Sequence, residues 1–255
     1  MWSHERQAEI LALIGQDGKV SANGLAARFN VSRETVRRDL LEMEEAGLLQ
    51  RVHGGAVGSA AMEPEPAFAA RASQFSGQKH AIGRKALELI PAGATCFVDA
   101  GTTTSAFATA LAARGNIRVI TNSLEIATIM TRGQECDTLL LGGRPHADVP
   151  AVHGELTLSE IDRFRADFAV ISPVAIDRQR GPTDYELHEA EVARAMIRCS
   201  ASCIMLCHSE KLETESRVSI CRLDEIDHLV TDALAEPFDL PRGLTHYAEI
   251  ASARA

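Results

Sequence analysis

The distribution of apolar residues divides the chain into two regions with different periods. In roughly the first fifty residues, apolar positions such as Ile10, Leu13 and Ile14 recur at the spacing of one helix face. From about Lys79 onwards, short and nearly continuous apolar runs alternate with helical patterns. The two patterns predict a small helical domain followed by a larger α/β domain.

Turn and cap signals in the first region predict three short helices. The first helix stops at the glycine-containing segment 15–18. Ser21 is placed to cap a second helix, and Ser32 is placed to cap a third, which runs to Ala46 and stops at Gly47. Two helices joined by a tight turn can read DNA when the second helix presents polar groups outward.

The third helix meets this condition. Its apolar stripe on a helical wheel is Val36, Leu40 and Met43, so Glu34 and Arg38 point away from the core. Arginine can bind phosphate or the O6/N7 edge of guanine, and glutamate can accept a hydrogen bond from cytosine. The candidate DNA contacts on this helix are Ser32, Arg33, Glu34, Thr35, Arg37 and Arg38.

A solvated helix is the alternative explanation of the same arginines. It would be held by the pairs Glu34/Arg38 and Arg38/Glu42, each worth only about 0.3–0.5 kcal/mol. The next segment, LLQRVHGGA, favours DNA binding, because it predicts a strand over 48–53 that ends in a Gly-Gly turn. Three helices and such a strand predict a winged helix–turn–helix. The wing adds Arg51, His53, Gly54 and Gly55 to the candidate DNA contacts.

The charge of the chain is negative overall but unevenly spread. Of a formal net charge of −9, residues 1–58 carry only −1, with seven basic and eight acidic residues. Four arginines and one glutamate lie within 28–38. A diffuse acidic surface argues against non-specific adhesion to nucleic acid, whereas this local basic group is compatible with specific binding to double-stranded DNA.

The second region predicts a mainly parallel sheet. Apolar strands are expected at 96–99, 117–121, 138–143, 168–172, 202–207 and 228–232, and helices at 82–90, 104–113, 123–131, 156–163 and 186–198. Nearly continuous apolar strands that alternate with helices are typical of parallel sheets buried on both faces. The fold class is therefore α/β, with an N-terminal winged helix–turn–helix.

Polar residues follow three of the predicted strands, where α/β sheets bind their ligands. The segment DAGTTTS at 99–105 combines a glycine, hydroxyl side chains and a helix N-terminus, which favours an anion such as a sugar phosphate. An ordinary helix cap would have a similar sequence. The segments TNS at 121–123 and LGGR at 141–144 add two further polar strand ends. Together they predict a crevice for a phosphate-bearing ligand.

A short linker separates the two regions. The segment VGSAAMEPEP at 57–66 contains prolines and small residues and has no periodicity. We expect a DNA-binding domain over 1–57, a linker and connecting segment over 58–78, and an effector-sensing domain over 79–255.

Several classes of protein and site do not fit the chain. No window approaches the ~18 apolar residues of a membrane span, and the N-terminus MWSHERQAEI has no apolar core of a secretory signal, so we expect a cytoplasmic protein. Cys199, Cys203 and Cys207 are spaced four apart, but their segment reads as a buried strand. We therefore expect no metal and no cofactor.

These motifs resemble a known family. The run ETVRRDLLEMEEAGLLQRVHGGA is similar to the signature of the DeoR-type bacterial transcriptional regulators, and DAGTT, VITNSLEIA, LLGG, HEAEVARAM and IDHLVTD resemble their effector domain. The resemblance implies an effector domain with a fold like ribose-5-phosphate isomerase that binds phosphorylated sugars or polyols. The runs ADFAVIS and YELHEAEVARAMI most resemble the glycerol-3-phosphate repressor subgroup.

The resemblance also implies an effector site. Its residues would be Asp99, Gly101, Thr102, Thr103, Asn122, Gly142, Gly143, Glu189 and Lys211, with the lysine pairing with phosphate. Two departures lie near this site: His146 stands where the family usually has arginine, and His208 where it usually has aspartate. A metal pair of these two histidines is less favoured than solvated or hydrogen-bonded side chains.

The expected function is that of a sequence-specific regulator, expected to be a repressor, of a carbohydrate or polyol catabolic operon. A phosphorylated sugar or polyol would modulate its binding to operator DNA, and the molecule would be a homodimer or homotetramer. Activation by the effector is equally compatible with the residues. The alternative is an isomerase-like enzyme that would use Glu189 and Lys211, although no catalytic site is expected.

Overall fold

The computed structural model describes residues 6–7, 9–10, 13, 19–29, 31–45, 49–52, 55–58, 67–232 and 237–250. The chain forms two compact units, Met1–Pro66 and Ala67–Ala255. The range 58–78, expected to be a linker and connecting segment, thus contains ordered helix from Phe68 onwards.

The N-terminal unit contains the predicted helices. Helix α1 (Ala22–Phe29) and helix α2 (Arg33–Glu45) follow helical residues within 6–13. The predicted caps of α1 and α2 are confirmed, because the Ser21 hydroxyl accepts a hydrogen bond from Gly24 N and the Ser32 hydroxyl accepts one from Thr35 N, both at 3.0 Å. Ala46 and Gly47, the predicted end of the third helix, lie outside the described residues.

A three-stranded antiparallel sheet completes this unit. Strands β2 (Leu49–Val52) and β3 (Gly55–Gly58) form the predicted wing, and β1 (Lys19–Ser21) pairs with β3 on the other side. The sequence did not indicate β1, because a three-residue strand is too short to show a period. The expected strand over 48–53 is observed as Leu49–Val52, and Val57, expected at the start of the linker, lies in β3.

A small core and one buried ion pair hold the unit together. Its buried residues are Ile10, Leu25, Phe29, Val36, Leu40, Met43 and Ala56. The Arg6 guanidinium donates two hydrogen bonds to the Asp39 carboxylate, at 2.8 and 2.9 Å, and the two side chains are only 10 % and 4 % exposed. The pair joins the N-terminal helical residues to α2. Removing one partner would leave the other charge buried, which is costly.

The larger unit is built on a seven-stranded sheet. Its strands are β4 (Thr95–Val98), β5 (Ile117–Thr121), β6 (Cys136–Leu140), β9 (Ala166–Ile171), β12 (Ser200–Leu206), β14 (His228–Asp232) and β15 (Leu244–Ala248). The strand order is β15-β14-β12-β9-β4-β5-β6, and every pairing within it is parallel. The predicted mainly parallel α/β fold is confirmed.

Helices cover both faces of this sheet. They are α3 (Phe68–Ser73), α4 (Ser76–Leu87), α5 (Thr102–Arg114), α6 (Leu124–Met130), α7 (Glu155–Ile161) and α8 (Leu187–Arg198). Alternate residues of β4 enter different cores: Cys96 and Val98 pack in the cluster that contains α4, α5 and α6, and Phe97 packs in the cluster that contains α7 and α8. Helix α4 begins six residues before its predicted start at 82.

One edge of the sheet differs from the prediction that all strands are buried on both faces. Leu139 and Leu140 of β6 are 42 % and 43 % exposed, because β6 has only β5 as a neighbour. The apolar run TLLL indicated the strand correctly but did not indicate its edge position.

Two small antiparallel sheets were not predicted. One contains β10 (Ala175–Asp177), β11 (Gly181–Asp184) and β13 (Val218–Ser219); the other is the pair β7 (Arg144–Pro145) and β8 (Val152–His153). Strands of two to four residues with proline, glycine and aspartate carry no apolar alternation. These small sheets deliver side chains to the ligand pocket described below.

Candidate nucleic-acid interface and ligand pocket

The N-terminal half of α2 presents a polar, exposed surface. Ser32, Arg33, Glu34, Arg37 and Arg38 are exposed, and Thr35 is half-buried beneath them. The helix is oriented by Val36, Leu40 and Met43, which are at most 2 % exposed. The inward stripe predicted from the helical wheel is therefore the observed one. The arginines have the reach and the fork-shaped donors needed to bind phosphates or guanine.

The ion pair on this surface differs from the expected ones. Glu34 accepts two hydrogen bonds from Arg37, at 3.1 and 3.2 Å, rather than pairing with Arg38. The two side chains of the pair remain 75 % and 70 % exposed, so solvent and salt screen the interaction. Arg33 and Arg38 have no ion-pair partner within the parts of the chain that the structure describes. Their guanidinium groups are thus available to an external anion.

The described part of the wing consists of β2 and β3. Arg51 lies in β2 and pairs in register with Ala56 of β3, while His53 and Gly54 lie outside the described residues. Gly55 is buried beneath β1: a Cβ atom there would lie 2.0 Å from the carbonyl oxygen of Val20. The glycine at this position thus has a structural explanation in the close approach of two strands.

A small pocket, the candidate ligand pocket, lies where β4 and β5 end, at the carboxyl edge of the sheet. Asp99, Ala100 and Asn122 form one side of it. The β7–β8 pair, β11 and the start of α8 supply the rest of the lining: His146, Ala151, Val152, His153, Asp184, His188, Glu189 and Val192. The structure therefore brings together three of the predicted effector residues, Asp99, Asn122 and Glu189. Strand ends of parallel sheets are the usual ligand position.

Asp99 is the most perturbed acid in the pocket. It is 7 % exposed, and burial together with the nearby Asp184 carboxylate raises the pKa of Asp99 to about 7. The Ala100 N–H donates to Asp99 Oδ1 at 2.8 Å and also to Asn122 Oδ1 at 3.1 Å. Asn122 in turn donates to the carbonyl oxygen of Val152 at 3.3 Å, which fixes its amide.

Three imidazole rings meet on the opposite side of the pocket. The ring centroids of His146, His153 and His188 are 4.0 to 6.0 Å apart. His146 Nε2 lies 3.8 Å from a Glu189 carboxylate oxygen. Burial, followed by the neighbouring histidines, lowers the pKa of all three rings. The rings are therefore neutral at pH 7, and each offers one hydrogen-bond donor and one acceptor.

Two lysines lie outside this pocket lining, and one of them contacts the segment that follows β9. Lys211 Nζ donates to the carbonyl oxygen of Pro173 at 2.9 Å. Lys79 is 4 % exposed and donates to the carbonyl oxygen of Arg71; burial, then the charges of Lys211 and Arg71, lowers its pKa to about 8. Two lysines close enough to perturb one another create a positive potential.

The N-terminus of α5 adjoins this cationic group. Gly101 precedes the helix, and a Cβ atom there would lie 3.5 Å from the Ser172 side chain at the end of β9. Thr103 is fully buried, and its hydroxyl has no hydrogen-bond partner within the described residues. Thr102 lines a separate depression with Lys79 and Ser105. A helix N-terminus beside lysines is suited to an anion.

Gly142 and Gly143, two further predicted effector residues, also lie outside the pocket lining. The Gly142 N–H donates to Glu160 at 2.6 Å, and its carbonyl oxygen accepts from the Thr157 hydroxyl at 2.7 Å. Gly143 lines a different depression beside Arg144 and Leu156. The structure assigns the backbone groups of Gly142 to packing against α7.

Sequence reasoning missed three polar lining residues: His153, Asp184 and His188. His188 directly precedes Glu189, a predicted effector residue. The sequence therefore indicated a site near His188 but not His188 itself. His153 and Asp184 lie on short strands whose sequences show no apolar alternation. Neither residue is adjacent in the sequence to a predicted effector residue. His146 joins this cluster, whereas His208 stacks on Phe75 with centroids 4.6 Å apart.

The described residues contain neither a metal-binding cluster nor a membrane-spanning helix. No group of three or more His, Cys, Asp or Glu side chains there has the geometry to hold a metal ion. In the same residues, no helix has both the length and the apolar character required to cross a membrane.

Both units match known domain families. The DeoR-like helix-turn-helix domain matches residues 6–60, and the DeoR C-terminal sensor domain matches residues 74–233. The glycerol-3-phosphate regulon repressor of Haemophilus influenzae is 34 % identical, over 95 % of this chain and 92 % of its own. The Escherichia coli protein of the same name is also 34 % identical, over 90 % of each chain. The transcriptional repressor GlcR of Bacillus subtilis is 31 % identical over 92 % of this chain and 90 % of its own.

Among solved structures, ribose 5-phosphate isomerase A from Neisseria gonorrhoeae aligns with 55 % of this chain and 53 % of its own. The TM-score is 0.39 and the identity 16 %, a level at which the likeness carries no functional inference.

Proposed function

The chain belongs to the DeoR family of DNA-binding transcriptional regulators, and we propose that it represses a carbohydrate or polyol catabolic operon until a phosphorylated effector releases it from DNA. Its relatives are named as repressors and not as enzymes, so the isomerase-like alternative is set aside. The observation that carries the proposal is the exposed row of arginines at the start of α2, in a unit that matches the family's helix–turn–helix domain.

The DNA contacts follow from this surface. Arg33 and Arg38 bind phosphates or guanine edges in the major groove, and Arg37 joins them when DNA displaces its exposed pairing with Glu34. Ser32, Thr35 and Gly55 orient or support these groups, and Arg51, His53 and Gly54 of the wing contact the flanking backbone. Two copies of the chain, as a homodimer or within a homotetramer, would read two half-sites of a double-stranded operator.

The effector site spans the carboxyl edge of the sheet. Its phosphate is bound by the α5 N-terminus, at Gly101, Thr102 and Thr103, with Lys211 beside it. The remainder of the effector lies against Asp99, Asn122 and Glu189. Gly142 and Gly143 border this site and shape the loop that carries His146. The names of the relatives support a phosphorylated polyol or sugar as the ligand.

Release from DNA follows from thermodynamic linkage between effector binding and operator binding. If the effector binds more tightly to the DNA-incompetent state, operator affinity falls by the same factor. A coupling free energy of about 1–3 kcal/mol corresponds to a change of roughly 5- to 150-fold. A regulator that reads the chromosome works in the cytoplasm, where metabolic phosphates are also present.

Arg38→Ala tests the DNA-binding surface. We expect operator affinity to fall roughly 5- to 150-fold, because one charge-assisted contact to phosphate or base is worth about 1–3 kcal/mol. The measurement is a gel-shift titration on DNA from upstream of the chain's own operon. The control is Arg132→Ala, which removes an exposed arginine from the sensor unit and should leave affinity unchanged. Equal affinities of the two variants would remove α2 from the interface.

A further inference from the structure

Helix α3 is where the chain enters the larger unit. The boundary between the two units falls between Pro66 and Ala67, and α3 begins at Phe68. Its six residues form too few backbone hydrogen bonds to hold a helix by themselves, so the position of α3 depends on the elements it packs against. A change in that packing therefore acts on the segment of chain that leads to the N-terminal unit.

The N-terminal end of α3 is held by the loop between β7 and β8, residues 146–151. Phe68 is 9 % exposed and packs with Val149 and Ala151 of this loop. The Phe68 N–H donates to Asp148 Oδ2 at 2.9 Å. The residue before α3 makes no side-chain cap, so the Asp148 carboxylate takes over this role and also lies at the favourable end of the helix dipole.

The same loop forms part of the wall of the ligand pocket. Ala151 and Ala100 line the pocket, and both also pack in the apolar cluster that Phe68 forms with Val149. Phe68 thus lies directly behind the pocket wall. Because side chains in such clusters are closely packed, a displacement of the wall changes the contact with α3.

The His146 ring connects the pocket to this loop. Its Nδ1 accepts hydrogen bonds from the backbone N–H groups of Asp148, at 3.1 Å, and Val149, at 3.0 Å. Because a backbone N–H only donates, Nδ1 carries no proton and the neutral ring is protonated at Nε2. This Nε2 lies 3.8 Å from a carboxylate oxygen of Glu189, which lines the pocket. A ligand that binds at Nε2 therefore acts on the ring that orders the loop.

The C-terminal end of α3 is anchored to elements outside the pocket lining. The carbonyl oxygen of Arg71 accepts a hydrogen bond from Lys79 of α4. Phe75, between α3 and α4, has a φ of 54° and stacks on His208, with ring centroids 4.6 Å apart. A bulky residue keeps this left-handed conformation only when its surroundings hold it there. The contact of α3 with the loop is therefore the end of the helix that a ligand in the pocket can influence.

We infer that α3 transmits the occupancy of the pocket to the DNA-binding unit. The ligand changes the loop through His146, the loop changes the docking of Phe68, and α3 passes this change to the chain that precedes it. The inference rests on the proposed function, because it requires an effector in the pocket and an operator affinity that responds to it. Such coupling needs only that the ligand favour one arrangement of α3 over another.

Hydrogen exchange shows whether α3 responds to a ligand. Glycerol 3-phosphate, sorbitol 6-phosphate and ribose 5-phosphate are the probes, and calorimetric titration of the full chain identifies those that bind. We expect a saturating probe to change the exchange rate of peptides covering 67–75 at least about threefold, because the stability of docked α3 is altered. Peptides covering β15, at the far edge of the sheet, are the control. Unchanged exchange over 67–75 with a bound probe would overturn the inference.

Asp148→Ala tests whether the contact carries the coupling. The side chain is exposed, so the substitution removes the acceptor of the Phe68 N–H without opening a cavity. The factor by which the probe lowers operator affinity should fall at least about threefold, while affinity for the probe without DNA stays within about threefold of the wild type. Gel shifts with and without probe measure the factor. Asp148→Asn keeps an acceptor oxygen and should keep the factor, as should Asp137→Ala, which removes an exposed carboxylate from β6.

Phe68→Ala tests the apolar part of the same contact without changing a charge near His146. It should also lower the factor, and Phe68→Leu, which keeps a large apolar side chain, should retain more of it. Circular dichroism establishes which variants fold, and Asp148→Ala is sufficient if Phe68→Ala does not.

The outcomes distinguish this inference from the proposed function. An unchanged factor in either folded alanine variant would overturn the role of α3 and leave an effector-responsive regulator. Failure of all three probes to bind, with intact binding to operator DNA, would instead remove the phosphorylated effector and this inference with it.

Discussion

Individual carboxylates in this protein have very different energetic roles. Asp99 and Asp39 are both buried, yet Asp39 accepts two hydrogen bonds from a guanidinium, whereas Asp99 faces another carboxylate. Burial without a nearby cation favours the neutral form of an acid, so Asp99 takes up its proton near neutral pH. A charged Asp99 is retained at a cost in stability, which is common for residues of ligand sites.

The raised pKa of Asp99 predicts a pH dependence of stability. Its folded pKa of about 7 lies above its ordinary value of 3.8, so between these values the folded state holds a proton that the unfolded chain has lost. Stability therefore falls as pH rises from about 4 to about 7, by up to about 1.4 kcal/mol per pH unit from this group.

Asp99→Asn should remove this contribution. We expect the variant to be more stable than the wild type at pH 8 and similar to it at pH 4.5. Thermal unfolding midpoints at the two pH values measure the difference. The surface variant Asp137→Asn is the control and should follow the wild type at both. A variant that is destabilised equally at pH 4.5 and pH 8 would show that Asp99 is ionised throughout this range.

At the scale of elements, glycines in one helix show how local preference and packing compete. Helix α4 contains Gly77 and Gly83, and glycine disfavours a helix by up to about 1 kcal/mol relative to alanine. A Cβ atom at Gly83 would lie 2.8 Å from the backbone nitrogen of Phe107 in α5, whereas one at Gly77 would meet nothing closer than an Ile250 methyl at 4.0 Å. Only Gly83 is required by the close contact of α4 and α5.

Alanine at these two positions should therefore have opposite effects. We expect Gly83→Ala to lower the free energy of unfolding by about 1–3 kcal/mol, because the backbone of α5 must move. Gly77→Ala should raise it by a few tenths to about 1 kcal/mol through helix propensity. Urea unfolding of the two variants and the wild type provides the comparison. Stabilisation by both substitutions would mean that the contact between the helices yields without strain.

Charge is distributed unevenly over the molecule as a whole. It carries a net charge of −9, and the exposed arginines of α2 form a local exception to it. The acidic remainder weakens adhesion to arbitrary DNA, so that binding depends on the contacts of the recognition helix. Regulation then requires only that effector and operator favour different states of the same molecule.

Lys211→Ala should separate effector binding from DNA binding. Without effector, we expect operator affinity equal to that of the wild type, because Lys211 contacts the carbonyl of Pro173 in the sensor unit. With effector, the loss of operator affinity should require at least about tenfold more ligand, since a charge-assisted phosphate contact is removed. Gel shifts over an effector titration measure both quantities. Lys85→Ala, which alters a surface pair with Glu88, is the control. An unchanged effector response would place the phosphate away from Lys211.

The sequence by itself determined what depends on local periodicity and on short motifs. Val36, Leu40 and Met43 fixed the inner face of α2 and hence the outward direction of Arg38, because helical spacing alone sets which residues share a face. The apolar runs identified six of the seven strands of the large sheet, and DAGTT located Asp99 at a strand end. These features require no knowledge of distant residues.

Only the tertiary structure decided which distant residues meet. His146, His153 and His188 converge from a loop, a short strand and a helix, and Asp184 comes to face Asp99 from across the sheet edge. It also decided that β6 is an edge strand and that Glu34 pairs with Arg37 rather than Arg38. Contacts between separated segments depend on how whole elements pack, and two- to four-residue strands carry no period from which this packing could be inferred.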